Sequence, residues 1–106
     1  MPAPIPPLTP EQRAEALAKA ARVRKERAEM LAALKAGRVS LLDVLDRDDE
    51  TARRTRVLSL LQAIPGIGTV RARRHLIDLS IAEHRKIGGL GDRQRERLIK
   101  LFPPQG

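Results

Sequence analysis

Apolar residues in the second half of the chain recur at intervals of three or four positions, which is the spacing of helices with one buried face. This pattern predicts helices from about Asp49 to Ala63, from Thr69 to Leu79 and from Asp92 to about Phe102. The spacing therefore favours an all-α fold. The residues expected to face the core are Val57, Leu60, Leu61 and Ile64 in the first helix, and Val70, Ile77 and either Leu76 or Leu79 in the second. Leu98, Ile99, Leu101 and Phe102 supply the apolar side of the third.

The first part of the chain has much alanine and few large apolar residues. The segment Thr9-Pro10-Glu11-Gln12 combines an N-cap residue, a proline suited to the first helical position and a capping-box glutamine. A long helix is therefore expected from Pro10 to about Ala36, with Gly37 at its C-terminal end. Its N-terminal half has little to bury, so that only its C-terminal half is expected to pack on a core.

Short elements connect the long helix to the rest of the chain. Ser40 and Asp43 have the residue types of a second capping box, which predicts a short helix ending near Leu45. The acidic run 46–50 comes immediately before the next predicted helix. We interpret it as N-terminal capping rather than a metal or acid–base site, because no His or Gly lies at ligand spacing. The chain thus divides into an extended tail at 1–8, a long basic helix at 9–37 and a compact helical domain at 38–106.

Composition limits both the core and the chemistry. The chain has 106 residues, enough for about one domain, with no Cys, no Trp, no Tyr and a single Phe. The core must therefore be small and aliphatic, and disulfides and thiolate metal sites are excluded. No apolar run approaches the roughly 20 residues of a membrane span, and the first residues lack the pattern of a secretory signal. A cytoplasmic protein without a membrane partner is expected.

The net charge of +8 is unevenly distributed. Residues 51–106 hold 12 basic and 4 acidic side chains, whereas residues 37–50 hold 2 basic and 5 acidic ones. A basic excess concentrated in one part of the chain favours a polyanionic partner over a merely soluble basic surface.

The stretch from Ile64 to Arg74 has the composition of an anion-binding turn. Two glycines flank one apolar residue after a proline, and a basic helix follows. Glycine permits a sharp turn and leaves room for a ligand, while the first N–H groups of a helix lack partners and lie at the positive end of its dipole. We expect a nucleic-acid phosphate here; the alternative is an ordinary helical hairpin. The residues assigned to this first turn are Pro65, Gly66, Ile67, Gly68, Thr69, Arg71, Arg73 and Arg74.

A second glycine turn, Ile87-Gly88-Gly89-Leu90-Gly91, precedes the last helix and is expected to bind the same backbone. Ser80 is expected to cap a further short turn over 81–86, which leads to this second glycine turn. For the long helix, a phosphate-binding arm and a solvated helix held by ion pairs remain equal alternatives. The residues assigned around the second turn are Arg85, Lys86, Gly89, Gly91 and Arg93, and those assigned elsewhere are Arg54, Arg56, Lys19 and Arg22.

The first turn resembles a helix-hairpin-helix DNA-binding motif. Leu60 and Leu61 precede the turn, and Ala72 and Leu76 follow it, with the small Ala72 where the two helices would approach. Residues 56–102 as a whole resemble a helix–two-turn–helix domain, as in a small-subunit ribosomal protein and in the formamidopyrimidine-type DNA glycosylases.

Nearly the whole chain resembles a narrower family, the actinobacterial integration host factors, with matching segments at 8–14, 57–72 and 89–95. The resemblance implies a nucleoid-associated protein that binds duplex DNA with little sequence preference, bends or bridges it, and supports phage integration complexes and chromosome packing. Members commonly carry Lys at the position of Thr69 and Arg at the position of Gly88. The same binding mode with fewer charged contacts is therefore expected here.

Two other functions remain as alternatives. The first is RNA binding, because the domain resembles that of a ribosomal protein. The second is glycosylase chemistry, in which Pro2 would supply a nucleophilic amine. Ala3, however, stands where the catalytic Glu of those enzymes is expected, and their zinc-binding cysteines are missing. We therefore expect a protein that is not an enzyme and has no cofactor. We also expect a monomer in solution.

Overall fold

The computed structural model describes residues 7–103, which form six α-helices and one 3₁₀ turn. Among these residues there is no strand, so the all-α prediction is confirmed. Predictions for residues 1–6 of the tail and for residues 104–106 lie outside the described residues. The helices are α1 (Pro10–Lys35), α2 (Leu41–Leu45), α3 (Glu50–Arg54), α4 (Val57–Gln62), α5 (Thr69–Asp78) and α6 (Asp92–Leu101), and the 3₁₀ turn spans Ile87–Gly89.

The ends of the first two helices follow local sequence chemistry. The Thr9 hydroxyl accepts the Gln12 N–H, and the Gln12 side chain accepts the Thr9 N–H at 3.0 Å, which confirms the capping box of α1. Ser40 and Asp43 form the same reciprocal pair at α2. At the other end of α1, Gly37 has a φ of +75°, the left-handed conformation that glycine adopts at low cost.

An aliphatic core lies where α2 to α6 and the end of α1 meet. Val57, Leu60, Leu61 and Leu98 are fully buried, and Met30 and Leu34 bring the C-terminal part of α1 into the same core. The N-terminal half of α1 is exposed, as its composition predicted. At the contact between α4 and α5, Ala72 is fully buried, so the small residue does lie where the two helices approach.

The single helix predicted from Asp49 to Ala63 is wrong. Thr55 and Arg56 adopt extended backbone angles, which separate α3 from α4. Two backbone hydrogen bonds to the segment 85–87 stabilise the break. The Thr55 carbonyl accepts the Ile87 N–H, and the Val57 N–H donates to the Arg85 carbonyl, both at 2.9 Å. Apolar periodicity continues across the break, which is why the sequence pattern did not reveal it.

The turn predicted over 81–86 is present, since the Arg85 N–H donates to the Ala82 carbonyl at 2.9 Å, but the cap predicted for it at Ser80 is wrong. Ser80 does not begin a helix; it ends α5 with a φ of 56°. The Ile81 N–H donates to the Leu76 carbonyl at 2.8 Å and the Ser80 N–H donates to the Ile77 carbonyl, the two bonds of a Schellman motif. The segment that follows is extended at Lys86, where it pairs with Arg56 in an isolated antiparallel bridge.

The face predicted for α5 needs a correction as well. Leu76 and Leu79 are both buried, whereas Val70 and Ile77 are 82% and 76% exposed. With 3.6 residues per turn, Ala72, Leu76 and Leu79 form one stripe that faces the core, and Val70 and Ile77 lie on the opposite side.

Candidate nucleic-acid interface

The first turn presents the N-terminus of α5 to solvent. Gly66 has a φ of +82°, which reverses the chain, and Gly68 is the N-cap of α5. Within the described residues, the N–H groups of Gly68, Thr69, Val70 and Arg71 have no acceptor. Because they lie at the positive end of the helix dipole, these groups can donate hydrogen bonds to the oxygen atoms of a single anion.

Side chains of the first turn add two polar groups to this cluster of amides. The Thr69 hydroxyl accepts a hydrogen bond from Gln62 Nε2 at 3.4 Å, which leaves its own hydrogen free to donate to a ligand. Arg71 Nη1 donates to the Gly66 carbonyl at 3.3 Å, so its guanidinium lies over the turn. Ile67 is half-buried against the core and anchors the turn, whereas Pro65 and Gly68 are exposed.

Two further arginines of α5 differ in their surroundings. Arg73 is paired with Glu83, with Nε 2.9 Å from Oε1, so its charge is partly neutralised. Arg74 is exposed and makes no ion pair among the described residues. His75, on the same helix, is only partly exposed and packs edge-to-face on Phe102 with 5.3 Å between ring centroids.

The second turn presents the N-terminus of α6 in a similar way. Gly91 is its N-cap, and the N–H groups of Asp92, Arg93 and Gln94 have no acceptor within the described residues. The Gly91 N–H is already bound, since it donates to Gln94 Oε1 at 3.0 Å. The carboxylate of Asp92 lies in this first turn of the helix and opposes an anion, while the exposed Arg93 favours one.

Arg85 shapes the second turn through its own side chain. Arg85 Nη1 donates to the Gly89 carbonyl at 2.7 Å, and a Cβ at Gly89 would lie 3.1 Å from Arg85 Cδ. The backbone carbonyl of Arg85 also accepts the Val57 N–H and so stabilises the break before α4. Lys86, by contrast, is exposed. Because a carbonyl is uncharged, the hydrogen bond to Gly89 leaves the positive charge of Arg85 uncompensated, so both Arg85 and Lys86 bring charge to the second turn.

A basic groove of about 810 Å³ lies between α3 and the second turn. Its cations come from two separate parts of the sequence, and Gly88 and Gly89 form part of its wall. Gly88 packs closely on α3, where a Cβ would come within 3.2 Å of both Cβ and the carbonyl oxygen of Arg53. The basic residues that line the groove are Arg53, Arg54, Arg85 and Lys86, together with His84, and the acidic ones are Asp48 and Glu50.

Arg53 was missing from the residues assigned from the sequence. It reaches the groove because the break at Thr55 turns α3 towards the second glycine turn. A single continuous helix would have given no reason to choose Arg53 over its neighbours. No signal in the sequence alone marks this position.

The other assigned cations lie on α1, on α3 and at the break. Arg54 is 3.0 Å from Glu50, and Lys19 of α1 is 3.9 Å from the same carboxylate. Arg22 is exposed on α1, and Arg56 is exposed at the break. The structure therefore brings Arg54 and Lys19 together at one acidic residue.

The acidic run before α3 does cap a helix, as predicted. Asp49 is the N-cap of α3 and accepts the Ala52 N–H at 3.3 Å. Both carboxylate oxygens also accept hydrogen bonds from the Arg47 guanidinium, at 2.8 and 2.9 Å. These bonds from Arg47 lower the pKa of Asp49 below its ordinary value of 3.8. Nearby, Asp46 pairs with Arg95 of α6.

None of the helices in the described part of the chain is long and apolar enough to cross a membrane.

Comparisons with known proteins agree with this architecture. Residues 34–102 match the family described as the S13-like H2TH domain. A solved structure of sIHF bound to an 8-base-pair palindromic DNA superposes with a TM-score of 0.78 at 37% identity, covering 79% of this chain and 97% of the other.

Curated relatives extend the similarity to almost the full length. Proteins named integration host factor are 45% identical over 100 residues in Mycobacterium tuberculosis and in Mycolicibacterium smegmatis, covering 92% of this chain and 95% of each relative. The integration host factor of Streptomyces coelicolor is 42% identical over 104 residues, covering 96% of this chain and 97% of that protein. The chain therefore belongs to the integration host factor family of actinobacteria, whose domain is of the S13-like H2TH type.

Proposed function

We propose that this protein is a non-enzymatic, nucleoid-associated DNA-binding protein that grips the phosphate backbone of duplex DNA. The observation that carries the proposal is the pair of glycine-capped helix N-termini, at α5 and α6, with unpaired amides framed by exposed cations. Backbone amides and helix N-termini are common phosphate ligands in protein–DNA interfaces. The DNA-bound relative sIHF supports the choice of duplex DNA as the ligand.

Each turn is proposed to take one phosphate. At the first turn the ligands are the free amides from Gly68 to Arg71, the Thr69 hydroxyl and the Arg71 guanidinium. At the second turn they are the α6 amides, Arg93, Arg85 and Lys86. Arg54, Arg56, Arg74, Lys19 and Arg22 would then contact flanking phosphates, and Arg73 would do so by exchanging its pairing with Glu83.

Sequence discrimination is expected to be weak. The described helices present mainly backbone amides and guanidinium groups, and phosphate contacts of this kind carry no direct sequence information. The chain has no Trp or Tyr, which disfavours base stacking on a single strand. A binder of this type would bend or bridge duplexes in the nucleoid and support phage integrase–DNA complexes. We propose that it is a monomer in solution and that any self-association occurs on DNA.

The test is a titration of the full chain against unrelated duplexes of equal length over a series of salt concentrations. If about five phosphates are engaged, the slope of log K against log salt should be near −4.5. Affinities for the unrelated duplexes should agree within about tenfold. A thousandfold preference for one sequence would contradict the low-specificity mode, and a flat salt dependence would contradict phosphate binding itself.

A duplex RNA of the same length is the competitor that tests the other candidate function. The S13-like type of the domain is the observation that favours RNA. Preferential binding of the RNA duplex would replace the proposal with an RNA-binding role. Bending is tested by energy transfer between dyes at the two ends of a DNA duplex, whose separation should shorten when the protein binds.

A further inference from the structure

We propose that Gln94 is a positioning residue that ties the N-terminus of α6 to the C-terminal end of α5, and thereby sets the second phosphate-binding turn relative to the first. The inference rests on the proposed function, since it concerns the spacing of the two turns. It assigns a role to a side chain that carries no charge and that the sequence did not single out.

One end of the Gln94 amide stabilises the start of α6. Gly91, the N-cap residue, has no side chain with which to accept a helix amide. Gln94 Oε1 instead accepts the Gly91 N–H at 3.0 Å. This bond connects the second glycine turn to the N-terminal residues of α6.

The other end of the same amide reaches a different helix. Gln94 Nε2 donates to the carbonyl oxygen of Ser80 at 3.1 Å. Ser80 has a left-handed φ of 56° in the Schellman motif that ends α5, so its carbonyl is fixed by that motif. Both polar ends of the side chain are therefore used, one within α6 and one at the Schellman motif that ends α5.

Glutamine suits these two partners because it carries a donor and an acceptor on one planar group. Glutamate would supply only acceptors when ionised, and lysine or arginine only donors. Gln12 gives a useful comparison, because its Oε1 makes the same capping bond at α1, to the Thr9 N–H at 3.0 Å. In the described structure Gln12 makes no bond to a second helix, so it caps α1 but does not connect α1 to another helix.

The tie matters because α5 connects the two turns. The 10-residue helix is about 15 Å long, with the free amides of the first turn at one end and Ser80 at the other. A hydrogen bond from α6 to Ser80 therefore fixes the amides of the second turn to the same rigid element that holds the first. Without it, the first turn of α6 would be held by Arg95 at Asp46 and, further along the helix, by the buried Leu98.

The test compares Gln94→Ala with Gln12→Ala in the full chain. Each substitution removes one capping-box bond, but only Gln94→Ala removes the tie to α5. We expect Gln94→Ala to weaken duplex binding about tenfold and to reduce the magnitude of the salt slope by about 0.9, equivalent to one phosphate. Gln12→Ala should leave both values at those of the wild type. Destabilisation alone would lower the active fraction at every salt concentration and leave the slope unchanged.

Amide chemical shifts in the free protein test the geometry without DNA. Gln94→Ala should shift both the Gly91 and the Ile81 amides, whereas Gln94→Glu should keep the bond to Gly91 and shift Ile81, whose nitrogen is joined to the Ser80 carbonyl. An Ile81 amide that does not move in either variant, or a salt slope unchanged in Gln94→Ala, would overturn the inference. Wild-type protein that shows no salt-dependent DNA binding would instead defeat the proposed function, while the shift experiment would still test the tie.

Discussion

The backbone N–H of Val57 donates to the carbonyl oxygen of Arg85 at 2.9 Å, across 28 positions of sequence. This bond and its neighbour from Ile87 to Thr55 hold the break between α3 and α4 against the segment that enters the second turn. Because of that pairing, α3 lies beside the second turn instead of continuing into α4. The basic groove is the consequence, since its cations come from both sides of the break.

Alanine substitutions at the two glycines of the first turn should separate folding from binding. Gly66 has a φ of +82°, so Gly66→Ala should destabilise the fold by about 1 kcal/mol. Gly68 has a φ of −87° and open space around its missing side chain, so Gly68→Ala should destabilise the fold less than Gly66→Ala, by about 0.5 kcal/mol for the poorer N-cap residue. If the turn binds phosphate through its backbone, Gly68→Ala should still weaken DNA binding several-fold, because the new methyl group lies where the ligand approaches. Wild-type affinity in Gly68→Ala would show that the first turn is only a basic face.

Removing Arg53 should weaken DNA binding without changing sequence preference. Its side chain lines the basic groove and is exposed, so Arg53→Gln should reduce the magnitude of the salt slope by about one phosphate contact and lower affinity equally for unrelated duplexes. Arg13→Gln removes the same charge at an exposed position near the start of α1, outside the groove, and is the matched control. Equal losses in the two variants would mean that net charge, and not the groove, determines affinity.

Neutralising Glu50 should strengthen DNA binding. The carboxylate lies 3.0 Å from Arg54 and 3.9 Å from Lys19, and it also lines the groove. Glu50→Gln would release both cations for phosphate, so affinity at low salt should rise about threefold, with a difference that shrinks as salt screens the charges. Glu15→Gln changes the net charge equally on the exposed part of α1 and should have a smaller effect. An identical rise in both variants would contradict a local role for Glu50.

Asp49 should stabilise the protein in a way that depends on pH. Because its pKa is lowered by the hydrogen bonds from Arg47, its contribution is fully present above the ordinary pKa of 3.8 and is lost as the pH falls through the lower value of the folded state. At neutral pH, Asp49→Ala should cost about 1 kcal/mol of unfolding free energy, as expected for the loss of an N-cap. The cost should decrease on acidification. Denaturant unfolding at several pH values measures both effects, with Asp48→Ala as the control.

The two faces of α5 should respond differently to substitution. Leu76→Ala opens a cavity beside α4 and should cost about 2–5 kcal/mol, whereas Ile77→Ala should change the unfolding free energy by less than about 0.5 kcal/mol because the side chain is 76% exposed. Thermal unfolding of the two variants measures the difference. A large loss for Ile77→Ala would mean that this face is covered in solution.

The local sequence determined several helix ends and the approximate location of the candidate binding surface. The capping boxes at Thr9 and Ser40 and the glycine at position 37 set three helix ends from neighbouring residues alone. The glycine turns, the basic excess after position 50 and the family resemblance indicated where a phosphate-binding surface should lie, because each depends on residue types close together in the chain. The same local reasoning placed Ala72 at the contact of α4 and α5.

Only the tertiary structure decided which face of α5 is buried, where the helix after Asp49 breaks and which cations share a groove. The physical reason is that hydrogen bonds over long sequence distances outweigh local helix preference at Thr55 and Arg56, and nothing in the apolar spacing records them. Packing against the core selected Leu76 and Leu79 over Ile77, although all three are equally apolar. The link from Gln94 to Ser80 is of the same kind, since neither residue type indicates a partner 14 positions away.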